Sequence, residues 1–386
     1  MFSRRVPSDL RPNRLAVARR GREVPYDLTE SNPTRCGLEY PVDLLRPVAD
    51  PAGLDYAPDP RGLAVARAAA AATYRGWGVE VDPDRVVLAS STSEAYGLLL
   101  RLLCDPGDAV LVPSPSYPLF DQLLRLDGVA AAPLRLDPDD GWGIDPDSLD
   151  AAPERTRAVV LVHPNNPTGT FVHPDDRRRI VDRCARHGWA LIADEVFLPY
   201  VHEPAPGSDT SFAGETGCLT FTLGGLSKSV GLPGLKVAWI AVSGPDDVAE
   251  EAMERLDWVA DAYLPVSTPV ARALQDLIEG GGAIHAAIAA RCVANLRRLE
   301  AAVAAAPEIT LHRPAGGWSA VLRVPAVVDD ESLALALLDR GVAVHPGYLF
   351  DFPSEGWLVL SLLPEEAPFA EGVRRLLAEV RDRICR

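Results

Sequence analysis

Short apolar runs alternate with amphipathic stretches along most of this chain, and polar loops separate them. Leu63–Tyr74 is alanine-rich and predicts a helix; Pro83–Ala89 ends in a short β-run, after which a helix starts abruptly within SSTSEAYGLLLRLLC. Strands are expected at Ala109–Val112 and near Ala130–Arg135, with a helix at Leu119–Leu126 between them. Ala158–Val162 and the run ALIAD are apolar without interruption, the mark of strands covered on both faces, and Asp175–His187 is the helix joining them. Cys218–Leu223 and Val237–Val242 are further strands on either side of a Gly/Ser-rich loop. Strands alternating with amphipathic helices predict an α/β fold with a mainly parallel sheet, flanked by helices. In such sheets ligands collect at the carboxyl ends of strands.

The pattern changes in the last third. A helical connection begins at Pro245–Asp257, breaks at Pro265 and continues through a long helix at Ala283–Ala305. Shorter strands and helices follow, with helices expected at Glu331–Leu338 and Pro368–Ile384, which suggests a smaller α+β domain. Residues 1–45, rich in Pro and Arg and weakly periodic, read as an extended arm. The division expected is an arm contributing to the small domain at 1–45, a large domain at 46–265, and a linking helix with the small domain at 266–386. A chain of 386 residues can bury cores of that size.

Charge and composition narrow the function. The net charge of −16 argues against a nucleic-acid surface, and the one basic cluster, Arg4–Arg22, reads as a solvated arm or docking segment. Six cysteines without a CxxC pair suit free thiols in a reducing compartment and give no metal site. No apolar run reaches signal-peptide or membrane-span length, so the expectation is a cytoplasmic protein without a membrane partner.

One compositional oddity points at chemistry. Of 38 basic side chains all but two are arginine, and the two lysines, Lys228 and Lys236, both lie in TLGGLSKSVGLPGLKVAW. Guanidinium stays protonated and is a poor nucleophile, whereas a desolvated lysine can lose its proton and condense with an aldehyde. Four other loops supply what pyridoxal phosphate requires. Ser90-Ser91-Thr92-Ser93 precedes a helix and suits a phosphate, although such clusters are also ordinary helix caps. Tyr117 in PSYP could stack on a planar ring or serve the core. Asn166 in HPNNPTG could hydrogen-bond a ring oxygen, and Asp194 in ADEVF could keep a ring nitrogen protonated, making the ring an electron sink.

HPNNPTG, IADEVF and LSKSVGLPGLK together resemble the class I/II aminotransferase family of fold-type I pyridoxal-phosphate enzymes, over about Leu28 to Arg383. The resemblance implies Lys228 as the Schiff-base lysine, Asp194 at the ring nitrogen, Asn166 at the ring oxygen and beside the substrate, and Tyr117 as the stacking ring. It implies Ser91, Thr92, Ser93, Ser227 and Lys236 around the phosphate. Tyr56, in DYAPDP, resembles the family tyrosine that reaches the neighbouring subunit's phosphate, which implies a homodimer with shared sites. The implied reaction moves an amino group between an amino donor and an oxo-acid acceptor.

The chain departs from the pattern at four positions. Gly225 stands where a phosphate-binding Ser or Thr is usual, and Lys236 where an Arg is usual. Phe197 replaces a tyrosine whose hydroxyl reaches the ring oxygen. Val359, in WLVLSLL, replaces the arginine that takes the substrate carboxylate. Arg35, in ESNPTRCG, is a candidate replacement, or equally an interface arginine. These departures keep a lyase, decarboxylase or oxidase as the alternative, with a non-catalytic ligand-binding module a third reading.

Overall fold

The computed structural model describes residues 2–203 and 207–385. In chain order its strands are β1 (Tyr26–Asp27), β2 (Val86–Ala89), β3 (Ala109–Ser114), β4 (Ala130–Asp137), β5 (Gly143–Ile144), β6 (Thr156–Val162) and β7 (Ala190–Asp194). They continue with β8 (Thr220–Gly225), β9 (Ala238–Ser243), β10 (Thr310–His312), β11 (Ser319–Arg323), β12 (Val342–Ala343), β13 (His345–Pro346) and β14 (Trp357–Ser361). β2 to β9 form one eight-stranded sheet in the order β2-β9-β8-β7-β6-β3-β4-β5.

The middle of that sheet, β8-β7-β6-β3-β4, is parallel. All five residues of β7 are buried because helices cover both faces. Thr92–Leu103 and Asp246–Asp261 pack on one side, and Pro174–His187 lies on the other. β9 runs antiparallel to both of its neighbours, and β5 antiparallel to β4. The reason at β9 is the connection: the stretch after β8 holds only one helical turn, Leu226–Ser229, and a 3₁₀ turn, Pro233–Leu235. A parallel return is usually made by a full α-helix packed on the sheet, which this stretch lacks.

A second, four-stranded antiparallel sheet, β10-β11-β14-β13, stands over the carboxyl ends of the large sheet. Its strands alternate cleanly. Leu358 and Leu360 face the core shared with helices Gly282–Ala304 and Glu366–Ile384. Trp357 and Val359 face the opposite way, toward Leu161 and Ala193 of the large sheet.

The arm is less extended than its composition suggests. Arg14–Arg19 forms a short helix capped by Asn13, whose side chain accepts from Ala16 N at 2.7 Å. β1 pairs in parallel with β12, Tyr26 beside Val342. Arginines of the basic cluster pair with acids of the small sheet's helices, Arg14 with Glu331 at 2.8 Å and Arg22 with Asp339 at 2.5 Å. The cluster is thus a docked segment. Among the described residues no single helix is long and apolar enough to cross a membrane.

Candidate active site

The ends of β2, β3, β6, β7 and β8 open into one cleft of about 430 Å³, with the small sheet as its roof. Thr92, Tyr117, Asn166, Asp194, Phe197 and Lys228 all line it. Residues far apart in sequence therefore meet because each follows or ends a strand.

Asp194 is the last residue of β7 and is buried. Its Oδ2 accepts from the Tyr96 hydroxyl at 3.1 Å, and its Oδ1 from Val196 N at 3.2 Å. Burial pushes its carboxyl up to about 6, against those two hydrogen bonds and the charge of Lys228. Lys228 feels the reciprocal environment: burial holds its amine below the ordinary lysine value, and Asp194 opposes the shift. Its Nζ lies 4.9 Å from the Trp318 ring centroid and 5.5 Å from that of Phe197. The backbone at Lys228 is fixed from behind, its carbonyl accepting from the Tyr200 hydroxyl at 2.6 Å.

Asn166 follows β6, and its Oδ1 accepts from Ser319 Oγ of the roof at 3.3 Å, leaving the carboxamide N–H groups to face the cleft. Tyr117 is partly exposed at the cleft, its ring edge-on to Phe120 with centroids 6.0 Å apart. At the helix Thr92–Leu103 the serine cluster divides its work. Ser91 is the N-cap, accepting from Glu94 N at 3.1 Å, while the Glu94 carboxylate accepts from Ser90 N, the residue before the cap, at 2.5 Å. Thr92, the first helical residue, is the member that lines the cleft; Ser93 sits beside it, half-buried, outside the lining.

Other expected residues lie outside this lining. Ser227 is half-buried in the turn that carries Lys228. Lys236 is exposed and left-handed, with φ 55°. Tyr56 is exposed, and Arg35 is exposed on the 3₁₀ turn Pro33–Arg35. Gly225 has a packing reason. A Cβ there would stand 3.1 Å from Ala238 Cα and Cβ, and one on Gly224 would overlap the Trp239 indole. The glycine pair lets β8 lie against β9 just before the lysine.

Sequence reasoning missed Tyr96, Trp318, Ser319 and His345. Tyr96 lies one helical turn after Thr92, on the same face, and that spacing was the available signal. Trp318, Ser319 and His345 come from the roof, which only the tertiary fold places here.

The family model for aminotransferases of class I and II matches residues 45–376. The chain belongs to this family. It is similar to the alanine aminotransferase of Mycobacterium tuberculosis, 32% identical over 90% of this chain and 84% of the relative. It is also similar to the capreomycidine synthase of Streptomyces vinaceus, 34% identical over 74% of this chain and 71% of the relative. Among solved structures, an aminotransferase from Escherichia coli superposes with a TM-score of 0.86 at 25% identity, covering 99% of this chain and 98% of its own. As an aminotransferase of this family the protein uses pyridoxal phosphate.

The residues present fit that group. A buried carboxyl and a half-buried amine with opposed shifts face one cleft, beside the N-terminus of a twelve-residue helix. The indole N–H of Trp318, buried in the lining, has no partner among the described residues. A cleft that leaves a buried donor unpaired is one that a polar ligand completes.

Proposed function

We propose that this cleft exchanges an amino group between an amino acid and a 2-oxo acid, with Lys228 and Asp194 as its catalytic residues. The observation that carries the reading is the pair itself, a half-buried amine and a buried carboxyl at adjacent strand ends, both lining the same cleft. Pyridoxal phosphate, when bound, supplies an aldehyde and an electron sink. Lys228 would hold the aldehyde carbon, and its depressed proton affinity keeps the amine available as a nucleophile. Once displaced by the donor's amine, the same Nζ is placed to take the proton from the donor's Cα and return one to the acceptor's. Asp194, steadied by Tyr96, would hold the proton on the ring nitrogen. Asn166 would donate to the ring oxygen, Thr92 would meet the phosphate, and Tyr117 would cover the ring. The second lysine, Lys236, extends from the loop after Lys228 and would add a point charge at the phosphate.

We further propose a homodimer that shares its sites. Val42, Leu45, Leu54 and Tyr56 all expose apolar side chains within one short segment, and a partner would cover them. Tyr56 would then reach the partner's phosphate site. The same proposal places the boundaries of the large domain at residues 46 and 265 and sets the protein in the cytoplasm.

The test is the absorbance of the loaded protein as amino acids are added without an oxo acid. Stoichiometric conversion to the pyridoxamine form, reversed by pyruvate or 2-oxoglutarate and absent in Lys228→Ala, is the expected result. Similarity to a relative named for a synthesis favours one second reading, in which the donor is rearranged or cleaved rather than exchanged. Product released over many turnovers with no such conversion would establish that reading instead.

A further inference from the structure

The inner face of the small sheet can be read from its register. Ser319 lies opposite Ser361, and one row further Val321 and His345 both lie opposite Val359 of β14. Residues two apart on a strand share a face, and directly opposed residues have Cβ atoms about 4.5–5.5 Å apart. Ser319, Ser361, Val359 and His345 accordingly form one patch of the roof, and all four line the cleft.

Among the described residues lining this cleft, three side chains can carry charge near neutral pH: Asp194, Lys228 and His345. The first two belong to the cofactor chemistry proposed above. A donor that is an amino acid brings a carboxylate next to its amine, and a carboxylate removed from water needs a cation or several donors. The middle strand of the roof offers only Val359 at that row. The strand beside it offers an imidazole.

We propose that His345 receives the carboxylate of the amino donor, with the hydroxyls of Ser319 and Ser361 beside it. This rests on the reading of the cleft as the amino-donor site. The surroundings of His345 fit the role. The backbone of Thr29, which also lines the cleft, stands beside the ring and favours its charged form. Behind it, Asp27 of β1 and Arg19 of the arm helix form an ion pair, and Thr29 Oγ1 donates to Asp27 at 2.5 Å. Those two charges act on the ring in opposite directions, Asp27 raising its proton affinity and Arg19 lowering it. From the cleft side the titratable groups are Asp194, Tyr117 and Lys228. Burial holds the imidazole below its ordinary value, so a carboxylate arriving from the cleft supplies the charge that the protein withholds. Binding of the acid therefore takes up a proton.

The experiment titrates the cofactor-loaded protein by calorimetry with 3-phenylpropanoate and with 3-phenylpropanamide, which lack an amine and cannot react. Wild type should prefer the acid and bind it more tightly at about pH 6 than at about pH 8, with no such trend for the amide. In His345→Gln the acid should weaken by roughly tenfold or more, the amide by no more than about twofold, and the pH trend of the acid should flatten. Equal affinity of wild type for both probes, undetectable binding of both included, overturns the proposal. So does a His345→Gln variant that binds the acid normally, or one that loses both probes alike. If the variant fails to fold, the wild-type pH trend alone decides. Because no turnover is involved, failure of the amino-exchange reading appears in the absorbance assay and leaves this result separate.

Discussion

Two adjacent carboxyl groups at the end of β7 meet different neighbours, and both stay hungry for protons. Burial raises Asp194 to about 6 and Glu195 to about 7, the latter while accepting from Ser211 Oγ at 2.7 Å and Phe212 N at 2.5 Å. Both values lie above those of the exposed groups, so the folded chain binds these protons more tightly than the unfolded one. The stability they contribute is complete below about pH 4 and is lost as pH climbs through about 6 and then 7. Cofactor-free protein should therefore melt at progressively lower temperature between about pH 5 and 8, and Glu195→Gln should flatten part of that slope. Thermal unfolding monitored by circular dichroism across this range checks it. A slope unchanged in the variant would mean that Glu195 does not titrate there. At this scale the sequence revealed residues whose type is unusual for its setting. Lys228 stood out because arginine is used almost everywhere else, and Asp194 because a carboxylate ends an apolar strand. Trp318 and His345 carry no such contrast. An aromatic at a strand start and a histidine before a proline are ordinary text, and only the fold turns them toward Lys228.

At the scale of the element, periodicity located most helices and strands of the large sheet and its mainly parallel character, but carries no direction for a single strand. The run Val237–Val242 is apolar whichever way the strand points, so pattern alone could not show that β9 reverses. The six-residue arm helix was likewise invisible, because its stability comes from the ion pairs and packing it makes on another element rather than from its own few hydrogen bonds. Two variants separate packing from chemistry here. Ser91→Ala removes the cap of the helix Thr92–Leu103 and should cost about 0.5–2 kcal/mol of stability in urea unfolding. Thr92→Ala should instead weaken cofactor retention, with the smaller effect on unfolding. The reverse order would exchange their roles. Gly225→Thr, which restores the residue type usual in the family, should destabilise by about 1–3 kcal/mol, because its Cβ presses on Ala238 across the strand pair. An increase in stability would show that β9 yields easily.

For the molecule as a whole, the net charge of −16 argues against a nucleic-acid surface and leaves assembly open. The exposed apolar side chains between Val42 and Tyr56 were not legible as a surface, since exposure is a property of the folded chain. Sedimentation equilibrium should give twice the chain mass at micromolar concentration, and Leu54→Asp should shift the protein toward monomer with loss of cofactor. A monomeric wild type with full activity would remove Tyr56 from the site and with it the shared-site proposal.

The two sheets divide the cleft into a floor that carries the reactive groups and a roof that faces the incoming molecule. On β14 the side chains that hold the core, Leu358 and Leu360, alternate with those that face the cleft, Val359 and Ser361. Change at Ser361 leaves Leu358 and Leu360 in place, whereas Val359 also packs against Leu161 and Ala193 and is free to vary only within that volume. A library confined to Ser319, His345, Val359 and Ser361 would sample new diets for the same engine.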